Sequence, residues 1–253
     1  MAPRTFRPEQ DWMRSVLPEG IAVGETTLIS GPGGSGKPLI GFSVVDSWLA
    51  AGGSVVVLLT NSGKEFVVET VRALYDTDLE AHGDRVVWVD FDPEMAPTVE
   101  AMDRSSATIR GNLVAPDVWN SALDVALERA PETDLGTLVF GSALNLFLFS
   151  PTYGEAMVDE FVDLAGTSGG HTTLFSVSTS AFESEIAAVE AAADTVLLTR
   201  MDDMTLHLRG ERSDSVELLE DEVTVPFTPE DIRRIKSVAE ETRDTIIPTI
   251  KEL

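Results

Sequence analysis

Short apolar runs alternate along most of the chain with longer segments in which apolar residues recur at helical spacing. The runs are rich in Val, Leu and Thr and mostly lack strict polar and apolar alternation, which is typical of strands buried on both faces of a sheet. They predict strands at residues 26–30, 54–60, 85–91, 135–140, 171–177 and 194–200. The amphipathic segments between the runs predict helices at residues 39–50, 62–76, 116–130, 153–165 and 183–193.

This alternation of strands and helices predicts the fold class. It favours right-handed crossovers and therefore an α/β architecture, a twisted, mostly parallel sheet flanked by helices. After residue 200 the pattern changes, and residues 204–210 and 216–227 predict short antiparallel strands at the C-terminal edge of the sheet. Residues 1–25 are expected to form an irregular lead-in, and residues 92–115 an irregular connection.

The last predicted element is a helix at residues 228–252. Thr228 is suited to the N-cap and Pro229 to the first helical position, and the acids that follow complement the helix dipole. The apolar stripe of this helix packs either on its own domain or on a partner or neighbouring protomer. Because we find no internal repeat and no linker, we expect residues 1–253 to form a single domain.

A glycine-rich loop, GPGGSGKP at residues 31–38, lies between the first strand and the first long helix. Glycines let the backbone curl with several N–H groups pointing inward, and the N-terminus of the following helix adds a positive dipole. The lysine of such a loop can reach the terminal phosphates of a nucleotide. The alternative is a glycine-rich turn with an incidental lysine. The candidate binding residues are Gly31, Gly33, Gly34, Ser35, Gly36, Lys37 and Pro38.

Composition narrows the classes of function. The chain has 43 acidic and 18 basic residues, a formal charge of −25 and a pI near 4.2. Most of such a surface repels nucleic acid and anionic membranes, so we expect no nucleic-acid partner. Only four residues are lysine. This pattern is typical of the cytosol of salt-loving archaea, where molar salt screens self-repulsion.

The sequence predicts a soluble, cytoplasmic protein without a metal site. The first residues lack the apolar core of a signal peptide, and no apolar run is long enough to span a bilayer. The chain has no cysteine, which excludes disulfides and thiolate metal sites. His82, His171 and His207 are dispersed and show no metal-ligand spacing.

Two segments carry a resemblance to a known family. LPEGIAVGETTLISGPGGSGK, residues 17–37, is similar to the pattern LxGGIPxGxxxLIxGxxGxGK of the KaiC group of RecA-like ATPases. TNSGKEFVVETVRALYDTDL, residues 60–79, resembles the matching segment of archaellar KaiC-like subunits. The resemblance covers roughly residues 17–210 and implies a RecA-like fold that assembles into rings with ATP at the subunit boundaries.

The chain departs from the family pattern at the positions that hold magnesium and activate water. The family follows the loop lysine with Ser or Thr, whose hydroxyl binds Mg²⁺, where this chain has Pro38. The acid that orients the attacking water is expected where Thr60 and Asn61 stand, and the Walker B Asp where Gly141 stands. These departures predict that Mg²⁺ is not bound and that hydrolysis is lost or very slow.

The family also carries a basic finger that reaches the phosphate of a neighbouring subunit. Its LKMRG pattern corresponds to LHLRG at residues 206–210, so the resemblance implies a nucleotide-binding role for Arg209, while His207 replaces the Lys. The alternative for Arg209 is an exposed strand arginine that pairs with Glu211 or another acid.

We therefore expect a degenerate KaiC-like pseudo-ATPase without catalytic residues, which acts as a regulatory or assembly subunit and binds ATP or ADP weakly or not at all. The resemblance implies a homo-oligomer, or a hetero-oligomer with another RecA-like, signalling or motility protein. The first alternative is a slow ATPase that works in signalling or motility and recruits Asp46, Asp90 or Ser142 as unusual ligands. The second is a scaffold with an empty loop.

Overall fold

The computed structural model describes residues 3–60, 62–167 and 170–253, with the side chains of residues 238, 239 and 241–245 left aside. The strands are β1 Thr5–Phe6, β2 Ile21–Ala22, β3 Thr26–Ser30, β4 Ser54–Leu59, β5 Val86–Phe91, β6 Thr108–Gly111, β7 Thr137–Gly141, β8 Thr172–Ser176, β9 Thr195–Asp202, β10 Thr205–Ser213 and β11 Val223–Val225. The helices are α1 Asp11–Arg14, α2 Lys37–Ala50, α3 Lys64–Tyr75, α4 Pro116–Arg129, α5 Gly154–Gly166, α6 Glu183–Ala192 and α7 Pro229–Ile250. Further 3-10 helices lie at Leu79–Arg85, Val99–Ala101 and Leu144–Phe149.

The central sheet has nine strands in the order β11-β10-β9-β3-β8-β7-β4-β5-β6. The strands from β9 to β6 in this order are mutually parallel. At the opposite edge, β10 is antiparallel to β9, and β11 is antiparallel to β10. The prediction of an α/β fold with a mostly parallel sheet, flanking helices and antiparallel strands at the C-terminal edge is therefore confirmed.

The parallel strands lack alternation of polar and apolar residues because helices cover both faces of the sheet. All six residues of β4 are buried. Val55 and Val57 belong to a core that also contains Trp48 of α2, whereas Val56 packs into a second core around Trp119 of α4. Successive side chains of a strand point to opposite faces, so a continuous apolar run satisfies both cores.

Three of the predicted irregular or strand segments differ in the structure. Within residues 92–115, predicted to be irregular, β6 pairs in parallel with β5 and forms the sheet edge. The prediction was wrong there because β6 has only four residues, of which Ile109 and Gly111 are buried. Two buried positions are too few to show the alternation of a strand in the sequence. Within residues 1–25, β1 and β2 form a separate antiparallel pair. Within residues 216–227, only β11 is a strand.

Helix α7 begins as predicted and packs on its own domain. The Thr228 hydroxyl accepts from the Asp231 N–H, and the Asp231 carboxylate accepts from the Thr228 N–H, which makes a capping box. Ile232 and Ile235 join the core around Trp48, and Ile250 joins the core on the opposite face of the sheet. The helix therefore spans from one face to the other. Among the described residues, every helix is too short or too polar to cross a membrane.

Candidate functional site

The glycine-rich loop, residues 31–38, joins β3 to α2 at the carboxyl end of the parallel strands. Gly34 and Gly36 have φ values of 72° and 76°, in the left-handed region that favours glycine. Gly31 has a φ of 148°, and a Cβ there would lie 2.4 Å from Thr199 Oγ1 and 2.5 Å from the Thr199 carbonyl oxygen. The loop backbone therefore requires glycine at these positions.

Lys37 is folded back onto the loop. Its Nζ donates to the carbonyl oxygens of Gly31 at 2.8 Å and Pro32 at 2.7 Å, and to Ser35 Oγ at 3.2 Å. The residue is only 6% exposed, and this burial lowers the pKa of Lys37 to about 7. These three partners of the ammonium are neutral oxygens, so a bound anion would supply the counter-charge that they lack.

Hydrogen bonds to neighbouring strand ends hold the loop in place. The Gly33 N–H donates to Ser180 Oγ at 2.8 Å, and the hydroxyls of Ser35 and Thr199 are 2.7 Å apart. The Thr179 N–H donates to the Gly31 carbonyl at 3.1 Å. Because the acceptor at Gly33 N–H is an uncharged hydroxyl, an anionic oxygen can compete for this donor.

A pocket of about 290 Å³ opens beside the loop. The loop contributes residues 33–38 to its wall. The other walls come from the segment after β7, from the end of β8 and from α7: Ala143, Asn145, Leu146, Phe149, Ser176, Ser178, Ser180, Ala181, Ile235, Lys236, Glu240 and Ile247. Its volume is near the lower end of the range of about 300 to 1,000 Å³ that is usual for small-molecule sites.

Sequence reasoning missed the neutral polar side chains of this pocket. The Ser178 N–H donates to Asn145 Oδ1 at 3.0 Å, and the Ala143 N–H to Ser176 Oγ at 3.3 Å. The available signal was the serine at every second position from Ser176 to Ser180, directly at the carboxyl end of a predicted parallel strand. Ligands of open α/β sheets bind at this edge.

The positions where the family pattern holds magnesium do not fit the ion. Pro38 lies in the first turn of α2 and offers neither a hydroxyl nor an N–H. The buried Thr60 hydroxyl donates to the Ser142 carbonyl oxygen. A Cβ on Gly141 would lie 3.1 Å from a methyl carbon of Leu144, in otherwise apolar surroundings.

Other parts of the chain that the structure describes do not form a cluster of metal-ligating side chains. Asn61, which the sequence placed at the water-activating position, lies outside the described residues. Within residues 3–60, 62–167 and 170–253, there is no group of three or more His, Asp and Glu side chains that could hold a metal ion. Pro38 and Gly141 therefore do not supply the ligands that the family pattern uses for Mg²⁺.

Arg209 lies away from the pocket, on β10. It is paired across the sheet with Leu198 of β9 and forms a 2.7 Å ion pair with Glu211. Its side chain is 41% exposed. Arg209 is thus an exposed strand arginine paired with Glu211, which was the alternative to the finger role. Its exposure leaves it accessible to another molecule.

The residues of the slow-ATPase alternative are also outside the pocket lining. Asp46 lies on α2 and accepts from the Thr77 hydroxyl at 2.5 Å, and burial raises its pKa. Asp90 lies 3.7 Å from the Arg110 guanidinium, and burial raises its pKa too. Ser142 follows β7 and is buried. The structure does not bring these side chains together at the loop.

The chain was compared with known proteins. A scan against models of protein families gives no match, and a search of curated proteins finds no match either.

Proposed function

We propose that this chain is a RecA-like, KaiC-related domain that binds a phosphate-bearing ligand, ATP or ADP, at residues 31–38 without Mg²⁺ and without hydrolysing it. In this proposal the domain serves as a regulatory or assembly subunit in a high-salt cytoplasm. The observation that carries the proposal is the state of Lys37, a buried amine with neutral oxygen partners that lines a pocket at a helix N-terminus.

The loop suits an anion for two physical reasons. The loop ends at the N-terminus of α2, where the positive end of the helix dipole lies. A phosphate close to Lys37 would restore the charged form of the amine, because an opposite charge raises the pKa that burial has lowered. Both effects act without a metal ion.

In this proposal hydrolysis is absent because the positions that carry it in the family pattern hold other residues. A general base contributes a factor of about 10² to 10⁴ to a reaction rate, and Thr60 cannot act as one. Metal assistance needs oxygen ligands beside the phosphates, and Pro38 and Gly141 provide none. Binding without turnover is the chemistry that these residues support.

Calorimetry on the full chain in molar KCl tests the binding. ATP and ADP are titrated with a chelator and, separately, with Mg²⁺. We expect binding with the chelator that is lost in Lys37→Ala and kept in Lys64→Ala, since Lys64 pairs with Glu80 and lies outside the lining of this pocket. No heat from the wild type at millimolar nucleotide would reject the binding.

Phosphate release with Mg²⁺ tests the absence of catalysis. We expect the wild type to match Lys37→Ala. A turnover of about one per minute or faster that disappears in Lys37→Ala would instead favour the slow-ATPase function.

The subunit role is tested by the mass of the protein in solution. Light scattering in molar KCl, with and without ATP, is expected to give a multiple of the 27.3 kDa chain mass. A monomer under both conditions contradicts the homo-oligomer, and purification from the native host then tests the hetero-oligomer.

A further inference from the structure

A second lysine lies against the glycine-rich loop. Lys236 belongs to α7, and its Cε is 3.2 Å from the position that a Cβ on Gly34 would occupy. Lys37 and Lys236 both line the pocket. The chain has only four lysines among 253 residues, so half of them are found at one small site.

The register of α7 fixes Lys236 at this place. The capping box at Thr228 sets where the helix begins. Ile232 and Ile235 are buried in the core around Trp48, so the residue after Ile235 emerges at the margin of the buried stripe. Arg234 ties the same turn to α3 through its ion pair with Glu69 at 3.3 Å. Lys236 is therefore held beside the loop by buried anchors on its own helix.

The charges around Lys236 favour an anion between it and the loop. In the part of the chain that the structure describes, no acidic oxygen forms an ion pair within 4.0 Å of Lys236, although Glu240 lines the same pocket one turn later. Lys64, by comparison, pairs with Glu80 at 3.3 Å and lies 5.3 Å from the centre of the Trp88 ring. Within the described residues, the positive charge of Lys236 is therefore not neutralised by an ion pair, and neither is that of Lys37, whose partners are neutral oxygens.

We infer that Lys236 is a second anion-binding residue of the loop site, and that the ligand carries at least two linked phosphate groups. The inference rests on the proposed binding function. Lys37 and the N-terminus of α2 address one phosphate from inside the loop. The absence of a Cβ at Gly34 lets the Lys236 side chain lie against the loop, and both lysines line the same pocket. Because Pro38 and Gly141 stand where the family pattern has its magnesium ligands, the two ammonium groups would neutralise a diphosphate in place of the metal ion.

The test uses inorganic pyrophosphate and orthophosphate on the full chain, by calorimetry in molar KCl with a chelator. Lys236→Ala is expected to weaken pyrophosphate binding about tenfold, equivalent to about 1.4 kcal/mol, and orthophosphate binding less than about threefold. Lys236→Arg should restore most of the affinity because it keeps the charge. Lys64→Ala is the matched control and should bind as the wild type does.

Hydrogen exchange on α7 adds a readout of the contact itself. Pyrophosphate should slow exchange of the α7 amides in the wild type and in Lys236→Arg, but not in Lys236→Ala. Thermal melts check that each variant is folded, and Lys236→Arg keeps the test valid if Lys236→Ala unfolds.

The outcomes separate this inference from the proposed function. If Lys236→Ala binds pyrophosphate within about twofold of the wild type while Lys37→Ala loses it, the role of Lys236 is overturned and the binding function stands. An equal loss for orthophosphate and pyrophosphate overturns the two-phosphate ligand. If the wild type binds none of pyrophosphate, ATP and ADP, both proposals fall.

Discussion

The glycine-rich loop and the ends of β4 and β7 all lie at the carboxyl end of the parallel strands, but their residues differ in chemistry. The loop keeps a backbone that requires glycine at Gly31 and a lysine at the start of a helix. The strand ends carry Thr60, whose hydroxyl donates to the Ser142 carbonyl oxygen, and Gly141, which is packed among apolar side chains. The proposed anion binding therefore uses other residues than the positions that carry catalysis in the family pattern.

The difference arises because the two functions depend on different parts of the chain. Anion binding at a loop uses backbone N–H groups and a helix dipole, which follow from the fold. Metal binding and water activation use single carboxylates, and one substitution removes each of them. The loop glycines also have a structural role, since Gly31 touches Thr199. The glycine at this position is therefore needed for packing whether or not the loop binds an anion.

The largest expected effect tests whether the strand end can become a metal site. Gly141→Asp introduces the acid that the KaiC pattern has at this position, but its carboxylate would lie among Leu58, Leu144 and Phe175. Burying an unpaired carboxylate there should lower the free energy of unfolding by about 3 kcal/mol or more. Guanidinium denaturation in molar KCl measures this change.

Gly141→Ala is the control for size alone. It places a methyl group 3.1 to 3.2 Å from the same three side chains, and it should cost about 1 kcal/mol. If Gly141→Asp is as stable as Gly141→Ala and binds Mg²⁺, the contrast between the loop and the strand ends is broken.

The sequence predicted most of the parallel sheet because its strands are covered on both faces. The sequence pattern of an apolar run such as β4 does not depend on where the strand lies in the sheet. Its length and Val content distinguish it from a helix. The same reasoning failed for β6, where Thr108 and Arg110 alternate with buried residues over only four positions. Short edge strands have no such signature.

The loop could also be recognised from sequence, but its pocket could not. Residues 31–38 are contiguous and flanked by a strand and a helix, so their geometry is local. Lys236 lies about 200 residues later, and only the packing of Ile232 and Ile235 brings it to Gly34. Contacts between distant segments follow from tertiary packing, which periodicity in one sequence does not show.

The second prediction concerns the loop and tests how Lys37 makes the stability of the protein depend on pH. The folded pKa of Lys37 is about 7, below its ordinary value of 10.5. Between these values the unfolded chain binds the extra proton, so this residue makes stability rise with pH across that window. The slope is at most about 1.4 kcal/mol per pH unit.

Lys37→Met removes this titration and provides the comparison. From pH 7.5 to pH 9.5, the free energy of unfolding of the wild type should rise by about 2 kcal/mol more than that of Lys37→Met. Guanidinium denaturation at each pH gives the difference, and Lys64→Met should follow the wild type. Parallel pH curves for the wild type and Lys37→Met would show that Lys37 keeps its ordinary pKa in the folded state.

The smallest expected effect comes from introducing at residue 38 a side-chain hydroxyl that could bind Mg²⁺. Pro38→Thr supplies the side chain that the family pattern has there, but a single neutral oxygen is a poor site for Mg²⁺, which is usually held by carboxylates together with substrate phosphates. Because Thr60 and Gly141 still lack carboxylates, Mg²⁺ should change the ATP affinity of Pro38→Thr by less than about twofold. Calorimetry with Mg²⁺ and with a chelator measures the ratio. A gain of about tenfold or more with Mg²⁺ would show that Pro38 alone separates this loop from a metal-dependent one, whatever residues stand at the strand ends.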